Sequence, residues 1–392
     1  MGKVNKTDES DFRTLPLEEM EAIVRDFEER VSKAQQSNPP TKDLMRRAVH
    51  RQGANRCPVR LKRFSLDLIL RYQNDLADLL CEYPDDTIGI TAYDMFVGYQ
   101  PSDCLNRVNT IQVMMQGAEW MDEWGTRWAH AFGGVGATPS AYPLTDWSQL
   151  DEYLEKNFPD PHAPGRLESA AKVVKTHGQS KYCVGFIHNT LFERLHALRG
   201  MENILMDFYT NEAEVRRLAG VLTEFAIELI RNWAGIGVDA VMMTDDWGTQ
   251  NSLMVSLPMW QNFFKDLYRT LFNEGHRCGL DMFLHSCGNV IDILPDLIDL
   301  KVDVLDPLQP GAMNLEEVAR RFGGKIAFQG AIDEQHLLTY GSPQEIKDEI
   351  RKIIDLLGSP FGNALILAPA NMLTPEIPFE NLVALFEATH NQ

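Results

Sequence analysis

The sequence predicts an α/β protein, a TIM-type (β/α)8 barrel with an N-terminal helical extension, and two observations carry that expectation. From about residue 87, short continuous apolar runs alternate with longer helix-like segments, as strands buried on both faces of a parallel sheet with helical crossovers require. Polar, ligand-capable residues follow nearly every run, so many strand ends converge on one face. A barrel builds its site that way, whereas an open doubly wound sheet gathers its site at one crevice.

Along the chain, residues 1–80 read as the extension and residues 81–392 as the barrel. Within the extension, 17–34 and 66–80 are amphipathic helices joined by the polar loop 36–40. The strand-like runs are 88–93, 182–187, 240–244, 282–285, 302–305, 326–329 and 364–367, about seven against the eight strands of a closed barrel. Helix-like segments between them include 257–274, 291–300, 315–322 and 343–357. Residues 146–178 interrupt the alternation with a helix over 147–158 and a Pro-rich loop, which reads as a rim element or a surface excursion. At 392 residues the chain exceeds the usual limit of one core, yet α/β barrels run this long as one domain.

A formal net charge of −19 argues against nucleic acid as a partner, because phosphate binding needs clustered Lys and Arg. No apolar stretch is long enough to span a bilayer, and residues 1–10 lack the apolar core of a secretory signal. Gly2 meets one requirement of myristoylation, but Lys6 stands where that motif wants Ser or Thr. The six cysteines are scattered without a C-x-x-C pair, which reads as reduced thiols in a cytoplasm. No phosphate-binding glycine motif and no Gly-x-Ser-x-Gly elbow is present.

The chemistry-bearing residues lie at the strand ends. His285 and Cys287 are two apart at the end of an apolar run, so in extended backbone they face the same side and can reach one ion, with zinc favoured by an imidazole and a thiolate. A third ligand must come from elsewhere. No cysteine follows Cys287, so a carboxylate such as Asp246 or Glu376 would complete the sphere. Asp245 and Asp246 are adjacent and point opposite ways when extended, so only one aims inward while the other holds a loop. Asp306 and Asp333 each end a run, as a carboxylate backing a metal-bound imidazole or as a helix cap. His188, Gln309, Gln329, Asp333 and Asn371 are candidates to line a substrate site, with a satisfied core histidine as the default reading of His188.

In order, Leu198-Arg199-Gly200-Met201-Glu202, Asp245-Asp246-Trp247-Gly248, His285-Ser286-Cys287-Gly288-Asn289 and Gln329-Gly330-Ala331-Ile332-Asp333 resemble the uroporphyrinogen decarboxylase superfamily. The His-x-Cys-Gly element looks like that of the methylcobalamin:coenzyme M and other corrinoid-dependent methyltransferases. The resemblance covers roughly residues 45–390. It implies a barrel in which zinc, held by His and two Cys, activates a methyl donor or acceptor against a corrinoid (cobalamin), and it implies a homodimer. His285 and Cys287 match two of those ligands; Asn371 stands at the best-matching position for the third, a departure from the family pattern. The arginine signature of true decarboxylases is echoed only loosely by Arg51 and Arg56.

The expected function is therefore zinc-dependent methyl transfer between a corrinoid cofactor or corrinoid protein and a small methylated substrate or thiol acceptor. Asp245, Asp246 and Glu376 are the carboxylates offered for catalysis. The alternatives are a metal-independent decarboxylase or lyase, and a barrel that binds a corrinoid or small ligand without turning it over.

Overall fold

The computed structural model describes residues 12–91, 99–100, 110–116, 119–130 and 137–392. Gly2, Lys6, Ala92, Tyr93 and Cys104 lie outside them. Ten strands are present among the described residues: β1 (Thr87–Ile90), β2 (Glu119–Met121), β3 (Arg127–His130), β4 (Ala137–Ala141), β5 (Tyr182–Ile187), β6 (Ala240–Thr244), β7 (Asp281–His285), β8 (Val304–Leu308), β9 (Ala327–Ile332) and β10 (Leu365–Pro369). Seven of them form one parallel sheet in the order β1-β5-β6-β7-β8-β9-β10. Each expected run has its strand, shifted by at most a few residues.

Residues 58–61 join the two edges of this sheet. Val59 makes a parallel bridge to Leu367 of β10. Arg60 N donates to Leu367 O (2.9 Å), Leu367 N to Pro58 O (2.8 Å), and Asp86 N, just ahead of β1, to Val59 O (2.9 Å). A stretch that the sequence reading leaves in the N-terminal extension thus supplies the missing wall of the ring. Its Val59 and Leu61 are fully buried, which matches a strand position better than the charged look of Arg60-Leu61-Lys62-Arg63 does.

Two apolar layers hold the architecture. Outside the ring, helices including Phe192–Arg199, Glu212–Ile236, Lys265–Arg277, Leu315–Phe322 and Phe379–His390 pack their apolar faces on the sheet. Inside it, Tyr182, Val184, Ala240, Met242, Phe283, Val304, Ala327, Ala364 and Ile366 fill the lower barrel. Met45 and Val49 of the helix Lys42–Val49 close the bottom of that layer. Truncating a filled position such as Phe283 to Ala would cost about 3–5 kcal/mol. Alternation along each strand then brings Phe186, His188, Thr244, His285 and Asp306 to the upper inside of the ring.

The small antiparallel sheet β2-β3-β4 has no counterpart in the sequence reading. Its strands are three to five residues long and mostly exposed, so they leave little apolar signal beyond Trp120, which stacks on Trp128. The segment expected as one helix over 257–274 breaks at Phe264 into Leu257–Phe263 and Lys265–Arg277.

Candidate metal centre

Two loops carry the centre, and backbone contact fixes their spacing. After β6 and β7 the chain passes through Gly248 and Gly288, which lie face to face. A Cβ on Gly288 would come within 2.4 Å of the Gly248 carbonyl group, and one on Gly248 within 2.6 Å of Cys287 O. Gly288 also has φ +83°, a left-handed conformation that favours glycine. Gly248 N donates to Cys287 O (3.2 Å), Asn289 N to Thr249 O (2.7 Å), and Trp247 N to Ser286 Oγ (2.9 Å). Gln309 Oε1 accepts from Gly288 N (2.9 Å), so this residue holds the turn.

Asp246, His285 and Cys287 converge on one point: one ligand atom from each lies within 4.8 Å of the others. Cys287 Sγ is 3.4 Å from His285 Nε2, and Nε2 is 3.8 Å from Asp246 Oδ1. Tetrahedral zinc with ordinary bond lengths separates a sulfur from a nitrogen ligand by roughly 3.6 Å and a nitrogen from an oxygen by roughly 3.4 Å. The donor set therefore fits zinc with three protein ligands and one position to spare. Cys287 N donates to Asp246 Oδ1 (2.8 Å), which holds the carboxylate toward the sulfur.

Behind the imidazole stands Asp306, fully buried in the middle of β8. Its Oδ2 bonds His285 Nδ1, and its Oδ1 accepts from Arg63 Nη1 (2.9 Å) and Gln329 Nε2 (2.6 Å). Burial alone would raise this carboxyl, but Arg63 and His285 hold it well below the usual carboxylate range. A carboxylate on Nδ1 puts the ring proton there and leaves the Nε2 lone pair for a metal. For His285, burial opposes the charged form, yet Cys287 and Asp306 keep the ring well above its ordinary range.

The adjacent aspartates divide as the extended geometry requires. Asp245 is fully buried and turned away: Oδ2 accepts from Leu191 N (3.1 Å) and Phe192 N (2.9 Å), and Oδ1 from Glu193 N (2.7 Å). It thereby caps the helix Phe192–Arg199, and Tyr268 Oη, itself bonded by Trp247 Nε1 (2.8 Å), donates to it as well. Burial nevertheless pushes its carboxyl up to about 6. Asp245 holds a helix; Asp246 meets the metal candidates.

The remaining candidates scatter. His188 stacks on Phe186 (5.5 Å, 15°), and its Nε2 is buried without a hydrogen-bond partner. Asp333 accepts from Gln335 N (2.8 Å) and His336 N (3.0 Å), a capping role. Asn371 folds onto its own loop, its Oδ1 accepting from Met372 N (2.7 Å) and its backbone N–H donating to Glu334 Oε2 (3.1 Å). Glu376 is exposed and outside the metal group. Arg51 bonds Val49 O and Arg56 pairs with Asp86 (2.7 Å), while Arg63 is the arginine at the centre.

Glu193 escaped the sequence reading. It lies in the first turn of its helix, 3.4 Å from Thr244 Oγ1, and burial, then Asp246 and Asp245, push its carboxyl up to about 8. At neutral pH it carries a proton. In the sequence it reads as an ordinary acidic residue at a helix N-terminus.

The family model for uroporphyrinogen decarboxylase (URO-D) matches residues 136–392. Among curated proteins, the uroporphyrinogen decarboxylase of Ruthia magnifica subsp. Calyptogena magnifica is 25% identical over 196 residues, 46% of this chain and 50% of that protein. The one from Legionella pneumophila (strain Lens) is 27% identical over 202 residues, 49% of this chain and 52% of that protein. The chain thus spans about half the length of the curated relatives it matches. Among solved structures, a methyltransferase from Methanosarcina mazei superposes with a TM-score of 0.64 at 16% identity, over 90% of this chain and 99% of the other. That likeness shows the shared barrel fold.

Proposed function

This chain belongs to the uroporphyrinogen decarboxylase family, and we propose that within it the protein is a zinc-dependent methyltransferase, moving a methyl group between a corrinoid and a small-molecule substrate. One observation carries the reading: a cysteine sulfur, an imidazole and a carboxylate converge at the mouth of the barrel, with Asp306 bonded to the far nitrogen of the imidazole. Decarboxylation by itself gives no role to a sulfur ligand. The fold shared with the Methanosarcina mazei methyltransferase supports the same assignment.

Zinc bound by Asp246, His285 and Cys287 would act as a Lewis acid that lowers the pKa of an acceptor thiol or polarises a methylated heteroatom. The protein's own part is positioning and charge. Asp246 and Cys287 bring two negative ligands that balance the dication, and Asp306 is balanced by Arg63. Without a metal ion, burial and then the Asp246 and Asp245 charges hold the Glu193 carboxyl above its usual range. The Gly248–Gly288 contact holds the two ligand loops at fixed separation. A corrinoid, free or carried by a partner protein, would be the second substrate.

The test is elemental analysis of the purified protein with a methyl-transfer assay from methylated corrinoid to a thiol. Near-stoichiometric zinc, lost in Cys287→Ser together with transfer, is expected. A native protein that is active but free of metal, or activity that survives chelation, would refute the proposal.

A further inference from the structure

The side-chain amide of Gln329 is satisfied at one end only. Ala327 of β9 belongs to the inner layer of the barrel, so Gln329, two residues on, also faces into the ring, where it is 1% exposed. Its Nε2 donates to Asp306 Oδ1 (2.6 Å), and the same oxygen accepts from Arg63 Nη1 (2.9 Å). An oxygen that receives a guanidinium has no proton to give, so the end of the amide facing it is the NH2 end. The other end, Oε1, is therefore an acceptor, and it is buried with no hydrogen-bond partner among the described residues.

The backbone that follows is held in an unusual form. Gly330, at φ +121°, lies so close to β8 that a Cβ would come within 2.8 Å of Leu308 N. Ala331, 1% exposed, has φ +73°, in the left-handed region that alanine seldom adopts. Strain of this kind collects where a side chain is held for a ligand, and here it follows directly on the residue with the open acceptor. Charge then narrows the kind of donor that fits. Arg63 bonds Asp306, and the Arg60 guanidinium, itself buried, is close enough to feel the same carboxylate. An ammonium brought to Gln329 would meet both cations, whereas a hydroxyl donates its bond without a charge.

We infer that Gln329 Oε1 accepts a hydrogen bond from a neutral hydroxyl of the substrate, so that the small molecule handled here is an alcohol whose methyl-bearing or methyl-accepting heteroatom lies at the Asp246, His285 and Cys287 group. This rests on the methyltransferase reading for the reactive end of the molecule, while the hydroxyl end rests on Gln329 alone. Asp306 links the two ends: one oxygen bonds the His285 imidazole and the other the Gln329 amide. A methylated compound without a donor leaves Oε1 unpaired, and a site with a buried polar atom of this kind discriminates against the analogue that lacks the partner.

Ligand-observed NMR titration of the full-length protein with 2-(methylthio)ethanol and with its capped analogue 1-methoxy-2-(methylthio)ethane tests the inference, with zinc measured in the same samples. The alcohol should bind at least about ten-fold more tightly than the ether. In Gln329→Met, which keeps the length of the side chain without the amide, the two should bind within about two-fold of each other. A side chain that only supports Asp306 would instead weaken both ligands by the same factor and leave their ratio as in the parent, and that result overturns the inference. Gln329→Asn draws the amide back by one methylene and should lose the preference as well; it carries the comparison if the methionine variant does not fold. No binding of the alcohol overturns the inference, as does equal binding of alcohol and ether by the parent, the result expected if a buried water serves Oε1. Tighter binding of 2-(methylthio)ethylamine than of the alcohol overturns it too. Hydroxyl preference that depends on Gln329 in a protein without zinc retires the metal reading alone, and zinc without that preference retires the hydroxyl site alone.

Discussion

Replacing Asp306 by Asn tests the electrostatic arrangement behind the metal candidates. In the parent, the fully buried carboxylate serves three groups at once: His285 Nδ1, Arg63 Nη1 at 2.9 Å and Gln329 Nε2 at 2.6 Å. Asn keeps the volume and one acceptor, so Arg63 and Gln329 retain a bond, but the charge that offsets Arg63 is gone. Breaking a buried pair from one side costs about 3–5 kcal/mol, and the retained acceptor places the expected loss near the lower end, about 3 kcal/mol. The effect at the metal is separate. An amide NH2 facing Nδ1 favours the tautomer with the proton on Nε2, the atom meant to ligate, and losses of this kind lower metal affinity by about 10–100-fold, or about 1.4–2.7 kcal/mol. Competition against a chromophoric zinc chelator and urea unfolding of the metal-free protein measure the two quantities. Asp333→Asn, at a capping carboxylate outside the group, is the control and should leave zinc affinity unchanged. Zinc affinity within about two-fold of the parent in Asp306→Asn would refute the argument that this carboxylate sets the ligating tautomer.

Three further outcomes are expected. Asp245→Ala leaves three backbone amides and the Tyr268 hydroxyl without their acceptor and should lower stability by about 2–4 kcal/mol in urea unfolding while retaining zinc, whereas Asp246→Ala should do the reverse. The folded metal-free protein holds a proton on Glu193 up to about pH 8, where the unfolded chain releases it near the ordinary carboxyl value. Stability should therefore fall as pH rises through that window, on the order of 2–4 kcal/mol in all, and Glu193→Gln should flatten the slope in unfolding curves taken on either side of it. Burial pushes the Cys57 thiol up to about 12 and the Cys183 thiol up to about 11, so iodoacetamide mapped by mass spectrometry should spare both in the folded protein, and should modify Cys287 faster without zinc than with it.

What the sequence disclosed follows from which signals are local. Strands such as Tyr182–Ile187 and Ala240–Thr244 are buried on both faces, so they appear as unbroken apolar runs and were legible at once. His285 and Cys287 were legible because period-two spacing places both on one side of the same strand end. The choice between Asp245 and Asp246 was not, because it depends on which of them meets the amides of a helix that begins more than fifty positions earlier. Glu193 is hidden for a related reason: a helix-start glutamate has an ordinary solvent-facing reading until packing buries it. Gln309 reads as a polar residue near a strand end, but it bonds a backbone amide of another loop, which no spacing reveals.

The contact between Gly248 and Gly288 bears on how such a centre can be altered. The loops meet through main chain and through the Asp246 carboxylate, which accepts from Cys287 N, whereas the Cys287 sulfur takes no part in that junction. Exchanging Cys287 for another donor of similar reach should therefore retune the preferred metal without rebuilding the barrel, whereas adding a single methyl group at either glycine would force the two loops apart. The sulfur is interchangeable; the junction that presents it is not.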